Sequence, residues 1–152
     1  MTTFFKISSI KRKILFLIVL ITYSCEKNKI ERNPYLNNVK INYEINLNLP
    51  EFDALRYIGG SKKILNIGLN GVIVFNLNNT SYLAWEASCS NHNLKDCSKL
   101  KIEGVLAKCN CENYQYSLAT GQLINPEKNL KNPFGLLYYQ TNLYNNILRI
   151  SN

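Results

Sequence analysis

The chain has a single histidine, His92, in 152 residues, so chemistry that needs a pair of imidazoles has no second partner. No motif sets a serine or an acid beside it for nucleophilic catalysis, and taken alone His92 reads as a loop residue facing water. Long apolar runs are missing as well. Residues 14–21 form an apolar run of eight, against about 20 for a helix that stably spans a bilayer. No dense block of lysine and arginine is present, which argues against a nucleic-acid partner. There is no internal repeat and no low-complexity tract, only a general excess of Asn. Helix signals are scarce too: only residues 50–56, opening on Pro50, can hold a turn or two.

What is present first is an export-type start. Lys6, Lys11, Arg12 and Lys13 precede the apolar run, and Thr22-Tyr23-Ser24-Cys25 follows it. That is the layout of a cleaved signal. Its end resembles a bacterial lipobox, in which the cysteine becomes the lipidated first residue of the mature chain. Thr22 and bulky Tyr23 depart from the usual residues there, and plain secretion or an uncleaved anchor are the alternatives. The expectation is a lipoprotein signal over residues 1–24, a lipidated tether over residues 25–38 beginning at Cys25, and a domain over residues 39–152. Such a chain is exported to the bacterial cell envelope and held at a membrane by lipid.

The whole chain carries 18 basic and 10 acidic residues, a net charge of +8. Four of the basic residues and none of the acidic ones lie in residues 1–24, so the mature chain carries 14 minus 10, or +4. A charge of that size suits rest against anionic lipid better than a grip on nucleic acid. With Cys25 lipidated, Cys89, Cys97, Cys109 and Cys111 remain. An even number in an exported chain favours disulfides over free thiols.

The body reads as strands. Residues 39–49 alternate, with Val39, Ile41, Tyr43, Ile45, Leu47 and Leu49 apolar and polar residues between them, the signature of a strand buried on one face. Residues 71–77 are rich in β-branched side chains, Asn78-Asn79 is a turn candidate, and residues 81–87 resume the extended pattern, so the two runs form a hairpin. Further short strands are expected at residues 104–108, 114–118, 136–141 and 147–150, the last two joined across Asn145-Asn146. Many short strands with closely spaced turns point to an all-β sandwich or barrel. Trp85 and the ten tyrosines read as core and strand-face residues.

The segments Cys89-Ser90-Asn91-His92 and Cys109-Asn110-Cys111-Glu112 resemble the two ligand loops of a Rieske iron–sulfur domain. That family holds a 2Fe–2S cluster with two cysteines on one iron and two histidines on the other. The resemblance puts Cys89 and Cys109 at the ligand-cysteine positions. It puts Cys97 and Cys111 at the extra pair that forms a disulfide in the respiratory and photosynthetic subtype. Tyr116-Ser117-Leu118-Ala119-Thr120-Gly121-Gln122-Leu123 is similar to the family's strand and turn after the second loop, Tyr116 falling where a tuning hydroxyl lies. Residues 136–150 look like its closing hairpin. The likeness covers residues 71–150 and implies a Rieske-like β-sandwich with a small cysteine-containing loop subdomain.

The departures bear on function. Asn91 stands where the first histidine belongs, with His92 one position later, and Glu112 stands where the second belongs; Asn113 and Tyr114 replace the glycine and serine that follow. An amide oxygen is a poor ligand for ferric iron, and a carboxylate shifts charge and potential. Four readings of the cysteines are open. Both Cys97–Cys111 and Cys89–Cys109 are disulfides; a 2Fe–2S cluster persists on Cys89, Cys109, His92 and Glu112, or on all four cysteines; the cysteines bind zinc; or they pair otherwise. The leading expectation is a cluster-free, disulfide-held domain with no cofactor and no catalytic residue, acting as a structural or interaction module, with an unidentified protein as a possible partner. Electron transfer through an atypical 2Fe–2S cluster is the alternative.

Overall fold

Short runs of β-branched and aromatic residues, broken by Asn, Gly and Pro, give a succession of short strands. The computed structural model describes residues 32–152; the expected signal, Cys25 and the start of the tether lie outside the described residues. Nine strands follow in order: β1 Asn42–Asn46, β2 Ser61–Ile64, β3 Val72–Asn76, β4 Tyr82–Glu86, β5 Lys101–Glu103, β6 Leu106–Lys108, β7 Gln115–Ser117, β8 Tyr138–Tyr144 and β9 Ile147–Ser151. Pro50–Arg56 is a 3₁₀ helix, with proline at its start where no backbone donor is needed, and it buries Phe52 and Leu55.

Six strands form one antiparallel sheet in the order β1-β9-β8-β4-β3-β2, and three form a second in the order β5-β6-β7. β8 joins the two halves of the large sheet. Tyr138 and Tyr139 pair with β4, while Gln140 to Tyr144 pair with β9. Ile45 of β1 and Ile64 of β2, at opposite ends of that strand order, pack in the same apolar cluster. The sheet is therefore curled, as twist demands when both ends must bury one face.

β3 explains how the layers stack. All five of its residues are buried. Val72 and Val74 enter the cluster inside the curl, with Leu55, Tyr139 and Ile150, whereas Ile73 and Phe75 enter a second cluster with Trp85, Leu100, Tyr116 and Leu118. A strand covered on both faces needs a continuous apolar run rather than alternation, which is why residues 71–77 read as they do. Each such side chain contributes about 1.5–3 kcal/mol of burial. The second cluster also holds Cys89 and Cys109, so the cysteines belong to a core between the β3–β4 wall and the small sheet. This all-β layout, with a cysteine-bearing subdomain beside a larger sheet, is the one expected from sequence.

Several boundaries differ. β2, reading Ser-Lys-Lys-Ile, was not expected, because an edge strand tolerates lysines that mask its period. The strand expected at 104–108 is present as β6, beginning at Leu106, and β5 before it was not expected; Gly104 turns at φ +62° between the two. Residues 33–36, which fall in the expected tether, pack on the domain. Asn33 Nδ2 donates to the Ser90 carbonyl at 2.9 Å, Leu36 is buried, and Tyr35 meets Phe134 edge to face. Asn145 and Asn146 both take positive φ, 48° and 61°, closing the β8–β9 hairpin as that dipeptide predicts.

Candidate metal centre

Two loops build the site. The first leaves β4 and carries Cys89, whose N–H donates to the Ser98 carbonyl at 2.9 Å. The second leaves β6 and turns back on itself: the Cys109 N–H donates to the Tyr114 carbonyl at 2.8 Å, and Asn113 takes the left-handed φ of 57°. Asparagine adopts that conformation more readily than other side-chain-bearing residues. The loops are joined by the Cys97–Cys111 disulfide, as the resemblance implied.

The expected second bridge, Cys89–Cys109, is not formed, and both residues are free thiols, each fully buried. Their sulfurs lie within 4.8 Å of each other, each with its own partners. The Tyr116 hydroxyl lies 3.2 Å from Cys89 Sγ. His92 Nε2 lies 3.3 Å from Cys109 Sγ. Glu112 Oε2 is 3.7 Å from Cys109 Sγ and 2.8 Å from His92 Nε2. One donor atom from each of Cys89, His92, Cys109 and Glu112 falls within 4.8 Å of every other.

His92 is thus not the water-facing loop residue that its isolation suggested; its side chain is only 12% exposed. Its Nδ1–H donates to the Asn93 carbonyl at 2.7 Å, so Nε2 is the atom turned to the cradle. Asn91 does something else altogether. Its amide nitrogen donates to the Tyr116 hydroxyl and to the Phe134 carbonyl, both at 2.9 Å, and its oxygen accepts the Phe134 N–H at 2.8 Å. Asn91 is a brace between the loop and the segment before β8. No local signal announces that role, because the partner is backbone 43 residues away.

The electrostatics follow the contacts. The hydrogen bond from Cys89, with those from His92 and two backbone amides, pulls the Cys109 thiol down to about 5 despite its burial. The neighbouring Cys109 and burial push the Cys89 thiol up. For His92, burial acts downward, but the contacts with Cys109, the Asn93 carbonyl and Glu112 outweigh it and raise its basicity. Burial raises Glu112 against the pull of His92. Burial, then the contact with Cys89, pushes up the Tyr116 hydroxyl. Although its thiol is pulled down, Cys109 is closed off from solvent and is no accessible nucleophile.

No protein-family model and no curated protein matches the chain. Among solved structures it is similar to a chain from a complex of reduced oxygenase and oxidised ferredoxin in carbazole 1,9a-dioxygenase. The identity is 13% and the TM-score 0.43, over 62% of this chain and 82% of that one. At those values the likeness adds nothing to what the residues themselves show. Among the described residues, no helix is long and apolar enough to cross a membrane.

Proposed function

We propose that this is a lipoprotein of the cell envelope, anchored through Cys25, whose Rieske-like domain does not carry the family's 2Fe–2S cluster. It works as a structural or interaction module at the membrane surface, with a protein rather than a nucleic acid as its partner. The observation that supports this best is Asn91, whose amide is used on both its oxygen and its nitrogen by Tyr116 and Phe134. A ligand position committed to bracing the fold has left cluster chemistry. The donor spacing agrees. A two-iron centre inserts two metals and two sulfides between its ligand pairs, and four donors within 4.8 Å of one another are spaced more closely than such a core sets them, which supports the cluster-free reading.

The second reading, electron transfer through an atypical cluster on Cys89, Cys109, His92 and Glu112, is favoured by one fact: those four side chains do converge. Anaerobic reconstitution of the full chain with iron and sulfide separates the readings. The cluster-free domain stays colourless and has no electron paramagnetic resonance signal after reduction. Stoichiometric iron and sulfide with a visible chromophore would sink it. For the anchor, Cys25→Ser should move the protein out of the membrane fraction; unchanged partitioning would contradict lipidation at that residue.

A further inference from the structure

We propose that Cys89, Cys109, His92 and Glu112 hold a single zinc-class divalent ion in a closed, four-donor structural site that locks the two cysteine loops together. The proposal rests on the cluster-free reading above and deepens it. The first argument is distance. A tetrahedral zinc with sulfur at about 2.3 Å and nitrogen or oxygen at about 2.0–2.2 Å sets its donors roughly 3.4–3.8 Å apart. Here Nε2 to Cys109 Sγ is 3.3 Å and Cys109 Sγ to Glu112 Oε2 is 3.7 Å. Nε2 to Glu112 Oε2 is 2.8 Å, so that pair alone of the three must open appreciably. Glu112, 28% exposed, has room to do so.

The second argument is the surrounding contacts. A metal-binding imidazole typically donates its other N–H to a carbonyl or carboxylate, and His92 does this with Asn93. Nε2 then faces two acceptors, Glu112 Oε2 and Cys109 Sγ, and such an atom holds either a proton or a metal ion. Cys89 has the kind of supporting donor that metal-bound thiolates use, the Tyr116 hydroxyl at 3.2 Å. On binding, zinc displaces the proton on Nε2 and the thiol proton of Cys89. Two thiolates and a carboxylate then face a doubly charged cation. Thiolate and imidazole donors select zinc over magnesium or calcium. Four protein donors leave no position for water or substrate, so the ion is structural rather than hydrolytic.

The test is titration of the detergent-solubilised full chain with cobalt(II), then zinc, without air, with Cys89 and Cys109 reduced and Cys97–Cys111 intact. The expected result is one cobalt per chain with tetrahedral ligand-field bands and thiolate charge transfer, displaced by one equivalent of zinc. His92→Ala and Glu112→Gln should each weaken binding by about tenfold or more, with unchanged circular dichroism showing that the fold survives. Absence of thiolate–cobalt bands overturns the proposal, as does affinity unaffected by Cys89→Ser, or closure of Cys89 on Cys109 as a disulfide in the presence of equimolar zinc. Those failures leave the cluster-free reading standing. Iron and sulfide retained at two each per chain in a parallel reconstitution would overturn both.

Discussion

Removing the Cys97–Cys111 disulfide should lower the stability of this domain by about 3 kcal/mol. The bond spans a sequence separation of 14, and closing a loop of about 15 residues withdraws roughly 3 kcal/mol of conformational freedom from the unfolded chain. Packing adds little, because Cys97 is exposed and Cys111 only half-buried. The double variant Cys97→Ala/Cys111→Ala avoids leaving a stray thiol. For a unit of this size, residues 33–152, each kcal/mol moves the melting temperature by about 3–6 °C, so a fall of roughly 10–15 °C is expected. Calorimetry of the oxidised full chain at neutral pH, parent against variant, measures it. A fall of less than about 3 °C would refute the reasoning, since it would mean that the loops are held by their other contacts and the cross-link is incidental.

Three further outcomes follow from the same contacts. Gly121→Ala puts a methyl group 2.6 Å from the Trp85 ring at a φ of +72°; urea unfolding should show a loss of about 2–4 kcal/mol, and a loss under about 1 would mean that the ring moves freely. Asn91→Ala removes a three-bond brace and should destabilise by about 2–3 kcal/mol; a neutral result would deprive the residue of its structural role. In the reduced, metal-free protein, ultraviolet absorbance should show one thiolate at neutral pH, lost as pH falls through about 5. Because Cys109 is depressed below its unfolded value, its contribution to stability is present above that value and lost through the same range. Raised Cys89 contributes in the opposite sense, its share being lost as pH rises through the alkaline range. A urea midpoint as pH-dependent in Cys109→Ser as in the parent would contradict the assignment.

Local features were legible in sequence. Ile41, Ile45 and Leu47 announced an inward face by their spacing, Asn145-Asn146 announced its turn, and both are matters of a few neighbouring residues. The loop cysteines and Tyr116 were legible through resemblance. What stayed hidden depends on distant partners. Lys62 and Lys63 obscured β2 because an edge strand is held by β3 rather than by its own pattern. Buried Glu86 gave no sign that it would accept hydrogen bonds from the amides of Leu69 and Asn70, from Ser88 and from Tyr139. His92 looked solvated when read alone, and only the resemblance offered Cys109 and Glu112 as its neighbours.

The most direct test of the cluster-free account is a metal and sulfide inventory of the full chain, isolated from its native cells without air or chelator. The account predicts no acid-labile sulfide, only trace iron, and zinc at about one per chain where Cys89 and Cys109 are reduced. Two irons with two sulfides per chain would contradict it and make the domain an electron carrier.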